Sequence, residues 1–192
     1  MDLRIKTDAE SEVLEAADIA GFLKYEDGDE DELALIDSMI KTARALFEQI
    51  TGRSFVEKTY VVYFKHDNRP YILPLVPVIS VDSVKEVDID GTETTLTLNS
   101  DYYKKGLYEV ELITDAMTAL PNPFRTFAGK YDLQVEFKAG YGNSNTETLP
   151  EPLKQIIKMQ VKQWYDNRDD FYELKILGSI QKILNTYKTM II

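Results

Sequence analysis

The chain of 192 residues has no cysteine and a single histidine. Without cysteine there are no disulfides and no thiolate metal sites, and nothing marks a redox compartment. A histidine-based zinc site or a Ser-His-Asp hydrolase would rest on His66 alone. That residue stands in the polar run His66-Asp-Asn-Arg-Pro70 and reads as a solvated turn. Positive charge is also short: 22 Lys and Arg face 33 Asp and Glu, a net charge of −11. Such a chain repels phosphate at long range and lacks the basic surface of a sequence-reading DNA binder. No apolar run is long enough to span a membrane, and the opening Met1-Asp-Leu-Arg-Ile-Lys6 has no apolar signal region.

The motifs of common chemistries are missing too. There is no G-x-S-x-G, no phosphate-binding glycine loop and no H-E-x-x-H. Aspartates at 27, 29 and 31 invite a calcium-loop reading, but the sixth and twelfth positions hold Glu32 and Ser38 instead of glycine and glutamate. Carboxylates are abundant, yet a glycosidase pair needs two of them across a cleft. Asp88 and Asp90 alternate beside a turn and read as a solvated strand face. The expectation is a non-enzymatic protein with no catalytic residue, no cofactor and no metal.

What is present is patterned. From Leu149 to Arg168 the chain reads as a helix opened by Pro150 and Pro152, residues that suit a first turn whose N–H groups lack partners. Leu153, Ile156, Ile157, Val161, Trp164 and Tyr165 fall on one stripe, with Lys154, Lys158 and Lys162 opposite. A second helix is expected from about Glu32 to Thr51, closed by Gly52. Its seam of Leu33, Ile36, Ile40, Ala43, Phe47 and Ile50 is joined by a second apolar row, Leu35, Met39 and Leu46. Two rows mean burial on both sides or sharing with another subunit. Trp164, Tyr165, Phe47 and Ile40 are therefore the expected core anchors, and Leu35, Met39 and Leu46 a candidate subunit interface. A shorter helix is expected over 15–23.

Between the helices the period changes to two. Short strands are expected at Thr59–Lys65, Tyr71–Pro74, Val78–Val81, Val84–Asp90, Tyr102–Tyr103, Leu107–Ile113 and Tyr131–Lys138, after an opening strand at Leu3–Lys6. Asp90-Gly91 signals a hairpin, and Ala116–Gly129 a long loop. The fold class is α+β: a helical bundle with an inserted antiparallel sheet or sandwich. The expected divisions are 1–54 (opening strand and bundle helices), 55–139 (inserted β domain) and 140–192 (C-terminal bundle helix and tail). In the tail, Ile180, Ile183, Leu184 and Tyr187 have helical spacing interrupted by Gly178, and the chain finishes on Met190-Ile191-Ile192. An apolar end of this kind must dock on the subunit's own core, a neighbouring molecule or a partner such as a portal, and the reading favoured is a portal-docking arm made of Ile180, Ile183, Leu184, Tyr187, Ile191 and Ile192.

Three segments together carry a resemblance. They are Glu15–Leu23 with the acidic linker and Asp31–Arg53; Ile72-Leu-Pro-Leu-Val-Pro-Val-Ile-Ser-Val-Asp-Ser-Val84 leading to Asp90-Gly91; and Phe137-Lys-Ala-Gly-Tyr-Gly142 followed by Leu149-Pro-Glu-Pro-Leu-Lys-Gln155 and Trp164-Tyr-Asp-Asn-Arg168. In this order and spacing the chain resembles the head–tail connector (adaptor, or head-completion) proteins of tailed bacteriophages. The resemblance implies a structural virion protein at the head–tail junction, present in the host cytoplasm during assembly. It implies a ring of identical subunits beneath the portal, which extends the DNA channel and receives the next connector or the tail protein. DNA would pass through without sequence-specific binding, and no membrane is involved. Both a preformed ring and a monomer templated by the portal fit the sequence. The alternative is a stand-alone module that binds a protein or peptide through a β-sandwich set on helices.

Overall fold

The computed structural model describes residues 1–23, 30–65, 71–87, 91–106, 110–114, 133–142 and 148–188. The expected His66 turn, Asp88 and Asp90, the loop at 116–129, and Ile191 and Ile192 lie outside them. The fold is α+β. Its elements are β1 (Asp2–Thr7), α1 (Ala16–Leu23), α2 (Glu30–Thr51), β2 (Lys58–Phe64), β3 (Tyr71–Ile72), β4 (Val78–Val87), β5 (Glu93–Thr95), β6 (Tyr102–Lys105), β7 (Glu111–Thr114), β8 (Leu133–Ala139), α3 (Glu151–Asp166), α4 (Arg168–Tyr172) and α5 (Gly178–Tyr187).

The helices form one layer of packing. Glu30, Asp31 and Glu32 fill the first turn of α2, where carboxylates complement the helix dipole. Gly52 ends it at φ +67, with its N–H donating to the Glu48 carbonyl. α3 begins after Pro150, whose carbonyl accepts the N–H groups of Leu153 and Lys154. Its buried face is Leu153, Ile156, Ile157, Gln160, Val161 and Trp164. α2 packs on α3, α1 lies against both, and α5 closes on α2 and α3. Their common core includes Ile19, Ile36, Ile40, Phe47, Trp164, Ile180 and Leu184.

The strands form the second unit. A five-stranded sheet runs β1-β2-β8-β4-β5 and a three-stranded sheet runs β3-β7-β6, every pair antiparallel. Alternation sends Tyr60, Val62 and Phe64 of β2 and Val135 and Phe137 of β8 into a core shared with Tyr71 and Leu112 of the smaller sheet. Tyr60 stacks on Phe137 at 5.6 Å, and Phe64 meets Tyr71 at 5.2 Å.

Three sequence expectations are corrected here. The opening strand does not join the bundle: Leu3 pairs with Val62 and β1 is an edge of the large sheet. The two strands expected around Val78 and Val84 are one strand, bent where the register shifts between Val78 and Ser80 and again between Val81 and Ser83. Gly178 does not interrupt a helix. It is the first residue of α5, so it lies outside the helix interior where glycine is costly.

Candidate functional site

No group of three or more His, Cys, Asp or Glu side chains is placed to hold a metal ion among the described residues. No described helix is long and apolar enough to cross a membrane. The features of interest are the joint between the two units and the surfaces the helices present.

The joint is built around Glu48, near the end of α2. Its carboxylate accepts hydrogen bonds from Arg44 Nη1 (2.9 Å), Lys58 Nζ (2.9 Å) and the Phe55 N–H (2.8 Å). Arg44 also donates to Glu12 in the segment before α1, at 2.6 and 3.0 Å. Burial alone would lower the Arg44 pKa, but the Glu12 hydrogen bond and the charges of Glu48 and Glu12 leave it raised. Beside this network Ser54 Oγ and Tyr60 Oη share a hydrogen bond of 2.7 Å. Gly140, at φ +130, passes so close that a Cβ there would meet the Val56 carbonyl oxygen at 2.0 Å. Only glycine fits that approach. Next to the joint is a cavity of about 380 Å³, walled by Asp8, Glu12, Glu57, Lys58, Lys138 and Tyr141 among others.

The expected core anchors occupy the bundle. Trp164, Phe47 and Ile40 are fully buried, and Tyr165 is half-buried, its hydroxyl donating to Glu32 at 2.7 Å. The expected interface row divides. Leu35 and Leu46 are half-buried, whereas Met39 has no exposed surface and belongs to the subunit's own core. Met39 is covered within the subunit and cannot reach a neighbour. The expected docking arm also divides. Ile180 and Leu184 are fully buried in the bundle, while Ile183 and Tyr187 are half-buried and pack against the same core. The Arg53 guanidinium donates to the Tyr187 carbonyl and lies 5.9 Å from the Tyr187 ring, tying the end of α5 down. The described tail is core.

Sequence reasoning missed a clamp between α3 and the loop before α5. The Gln160 side chain, buried in the apolar core, donates to the Lys175 carbonyl at 3.0 Å and accepts from the Leu177 N–H. Trp164 Nε1 donates to the same carbonyl at 2.9 Å. A glutamine on the apolar stripe of α3 was the available signal, since a buried amide must find partners.

Neither a protein-family model nor a curated protein matches the chain. Solved structures do. A chain from the neck of an empty GTA particle, computed with C6 symmetry, superposes with a TM-score of 0.73 at 20% identity. A chain from the virion of a native gene transfer agent (GTA) particle gives 0.71 at 21%. A chain from the neck of a native GTA particle computed with C12 symmetry gives 0.68 at 20%. Each match covers 100% of this chain and 97% of the other. At this identity the likeness is one of fold, and it runs through both units, helices and strands alike.

Proposed function

We propose that the protein is a structural subunit of the neck of a tailed-phage-like particle. It forms a ring adaptor beneath the portal, extends the DNA channel and connects head to tail. The observation that carries this reading is the end-to-end fold likeness to neck chains of GTA particles. The C6 and C12 symmetries of those necks favour a ring of copies. The net charge of −11 fits a wall that DNA must slide past, since cations that neutralise phosphates would create adhesion. The partners in this reading are further copies of the chain, the portal, and the next connector or tail protein. The place of action is the head–tail junction of the virion, with assembly in the host cytoplasm. The proposal includes a division of labour between a helical bundle and the β-sandwich inserted in it.

Gold-labelled antibody against the purified protein, applied to intact particles and viewed by electron microscopy, tests the reading. Label confined to the head–tail junction is expected. Label over the head shell or along the tail, or none on lysed and intact particles alike, overturns it.

A further inference from the structure

Seven large apolar side chains stand exposed among the described residues, and four of them form two patches with opposite charge around them. The first patch is a knob at the end of α4. Tyr172 is 79% exposed there and Leu174 45% exposed. The turn beneath them is braced. The Leu174 N–H donates to the Phe171 carbonyl at 3.0 Å and the Lys175 N–H to the Asp170 carbonyl at 2.9 Å. The Lys175 carbonyl in turn accepts from the buried Gln160 and Trp164 side chains. Phe171 lies 5.3 Å from the Trp164 ring and 5.9 Å from the Tyr172 ring. An aromatic anchor fixed before docking loses little entropy on binding. Asp169 and Glu173 flank the knob, both exposed and neither with a side-chain ion pair among the described residues.

The second patch is on the sandwich. β6 is an edge of the three-stranded sheet, and alternation along it sends Tyr102 into the core and Tyr103 outward. Tyr103 and Leu98 are each 46% exposed. The turn before β6 holds Leu98 beside the strand. Leu98 bridges to Tyr102, and the Asn99 N–H donates to the Tyr102 carbonyl at 2.8 Å. The Asp101 carboxylate accepts the Thr97 N–H at 2.7 Å and closes the turn. Lys104 and Lys105 follow, both exposed. Lys104 has no ion pair among the described residues, and Lys105, its side chain 75% exposed, meets Glu111 at 3.4 Å. One patch is thus an apolar tip between acids, and the other an apolar turn beside bases. The remaining exposed apolar groups offer no such match. Met1 and Ile5 stand at β1, whose Arg4 and Lys6 are held by Asp2 and Glu136 at 2.7 Å. Phe22 is followed in sequence by the acidic run Glu26-Asp-Gly-Asp-Glu-Asp-Glu32. In a chain of net charge −11, a surface that attracts an acidic knob is uncommon.

We propose that the Tyr172–Leu174 knob of one copy docks on the Leu98–Tyr103 turn of a second copy, with Asp169 and Glu173 set against Lys104 and Lys105. The bundle of each subunit then grips the sandwich of the next. The two patches differ, so the contact is heterologous and runs on from subunit to subunit, as a closed ring requires. This interface deepens the ring reading and rests on it only for closure of the ring. The contact between copies stands or falls separately.

The absence of native cysteine makes the test clean. Single variants Glu173→Cys and Ser100→Cys, both at exposed positions, are mixed and treated with a short bismaleimide. Association raises the local thiol concentration, so this pair should cross-link at least about tenfold faster than Glu173→Cys mixed with Ser38→Cys, exposed on α2. Adding Tyr172→Ala to the Glu173→Cys chain should bring the rate down to that of the Ser38 control. Lys104→Glu with Lys105→Glu in the Ser100→Cys chain should do the same, and Asp169→Lys in the Glu173→Cys chain should then restore part of the rate. Equal rates for the two starting pairs, or a fast rate indifferent to Tyr172→Ala, overturn the proposed contact. Specific cross-linking without label at the head–tail junction would leave the interface standing and remove the neck reading; junction label without specific cross-linking would do the reverse.

Discussion

The carboxylate of Glu48 on α2 accepts a hydrogen bond from Lys58 on β2 at 2.9 Å, and this contact joins the helical bundle to the sandwich. The same carboxylate holds Arg44 Nη1 and the Phe55 N–H. The side chains of Arg44, Lys58 and Glu48 are only 9%, 5% and 13% exposed. Removing Glu48 leaves two buried cations with less to balance them. Glu48→Ala is expected to cost roughly 3–5 kcal/mol in urea unfolding, the usual penalty for breaking a buried pair from one side. A loss below about 1 kcal/mol would show that water reaches the joint freely.

Tyr60 gives the joint an alkaline limit. Burial, ahead of the Ser54 hydrogen bond that opposes it, holds its phenol pKa well above the ordinary value. The folded state therefore binds the proton more tightly than the unfolded chain. Its contribution is fully present below the unfolded pKa of about 10 and declines as pH rises above it, by at most about 1.4 kcal/mol per pH unit. Tyr60→Phe should be less stable at neutral pH by about 1 kcal/mol, for the lost hydrogen bond. The gap should then narrow above pH of about 10. Unfolding curves that stay parallel from neutral to alkaline pH would contradict this.

The described tail belongs to the bundle core. Ile180→Ala and Leu184→Ala are each expected to cost about 2–5 kcal/mol, because both side chains are fully buried. Deleting residues 178–192 should lower the thermal midpoint sharply or leave no cooperative transition. A truncated protein as stable as the full chain would return the tail to the role of a free arm.

The two units have separate apolar cores, so the bundle is expected to fold without the sandwich. A chain of residues 8–57 joined through a short Gly/Ser linker to 140–188 keeps Phe55, Tyr141 and Leu149 in the helical core. The close approach of Gly140 to Val56 means the linker spans little distance. A helical product with a cooperative melt is expected. A molten product would show that the helices depend on the sheet.

Much of this architecture was legible because periodicity reports burial. The stripe on α3 and the seam on α2 appear in the structure at the expected positions, and Gly52 stops α2 as a left-handed cap. Periodicity does not report what does the burying. Met39 looked like a surface for a neighbour because a second apolar row looks the same whether the subunit's own core or another subunit covers it. Ile180 and Leu184 looked like an arm because nothing local marks a terminal helix as docked. β1 looked like part of the helical region because strand pairing between residues such as Leu3 and Val62 is set by tertiary contact. The turn with Leu174 in a left-handed conformation is followed by a Lys175 carbonyl held by Gln160 and Trp164 from another helix, and no local pattern encodes that.

In the proposed function, copies of this chain form a ring on the portal. The direct measurement is single-particle electron microscopy of the purified protein mixed with its cognate portal assembly. A coaxial ring of this chain on one face of the portal is expected, with the channel continuing through it. Portal particles that remain bare at saturating protein, or protein bound as scattered single copies off the axis, would contradict it.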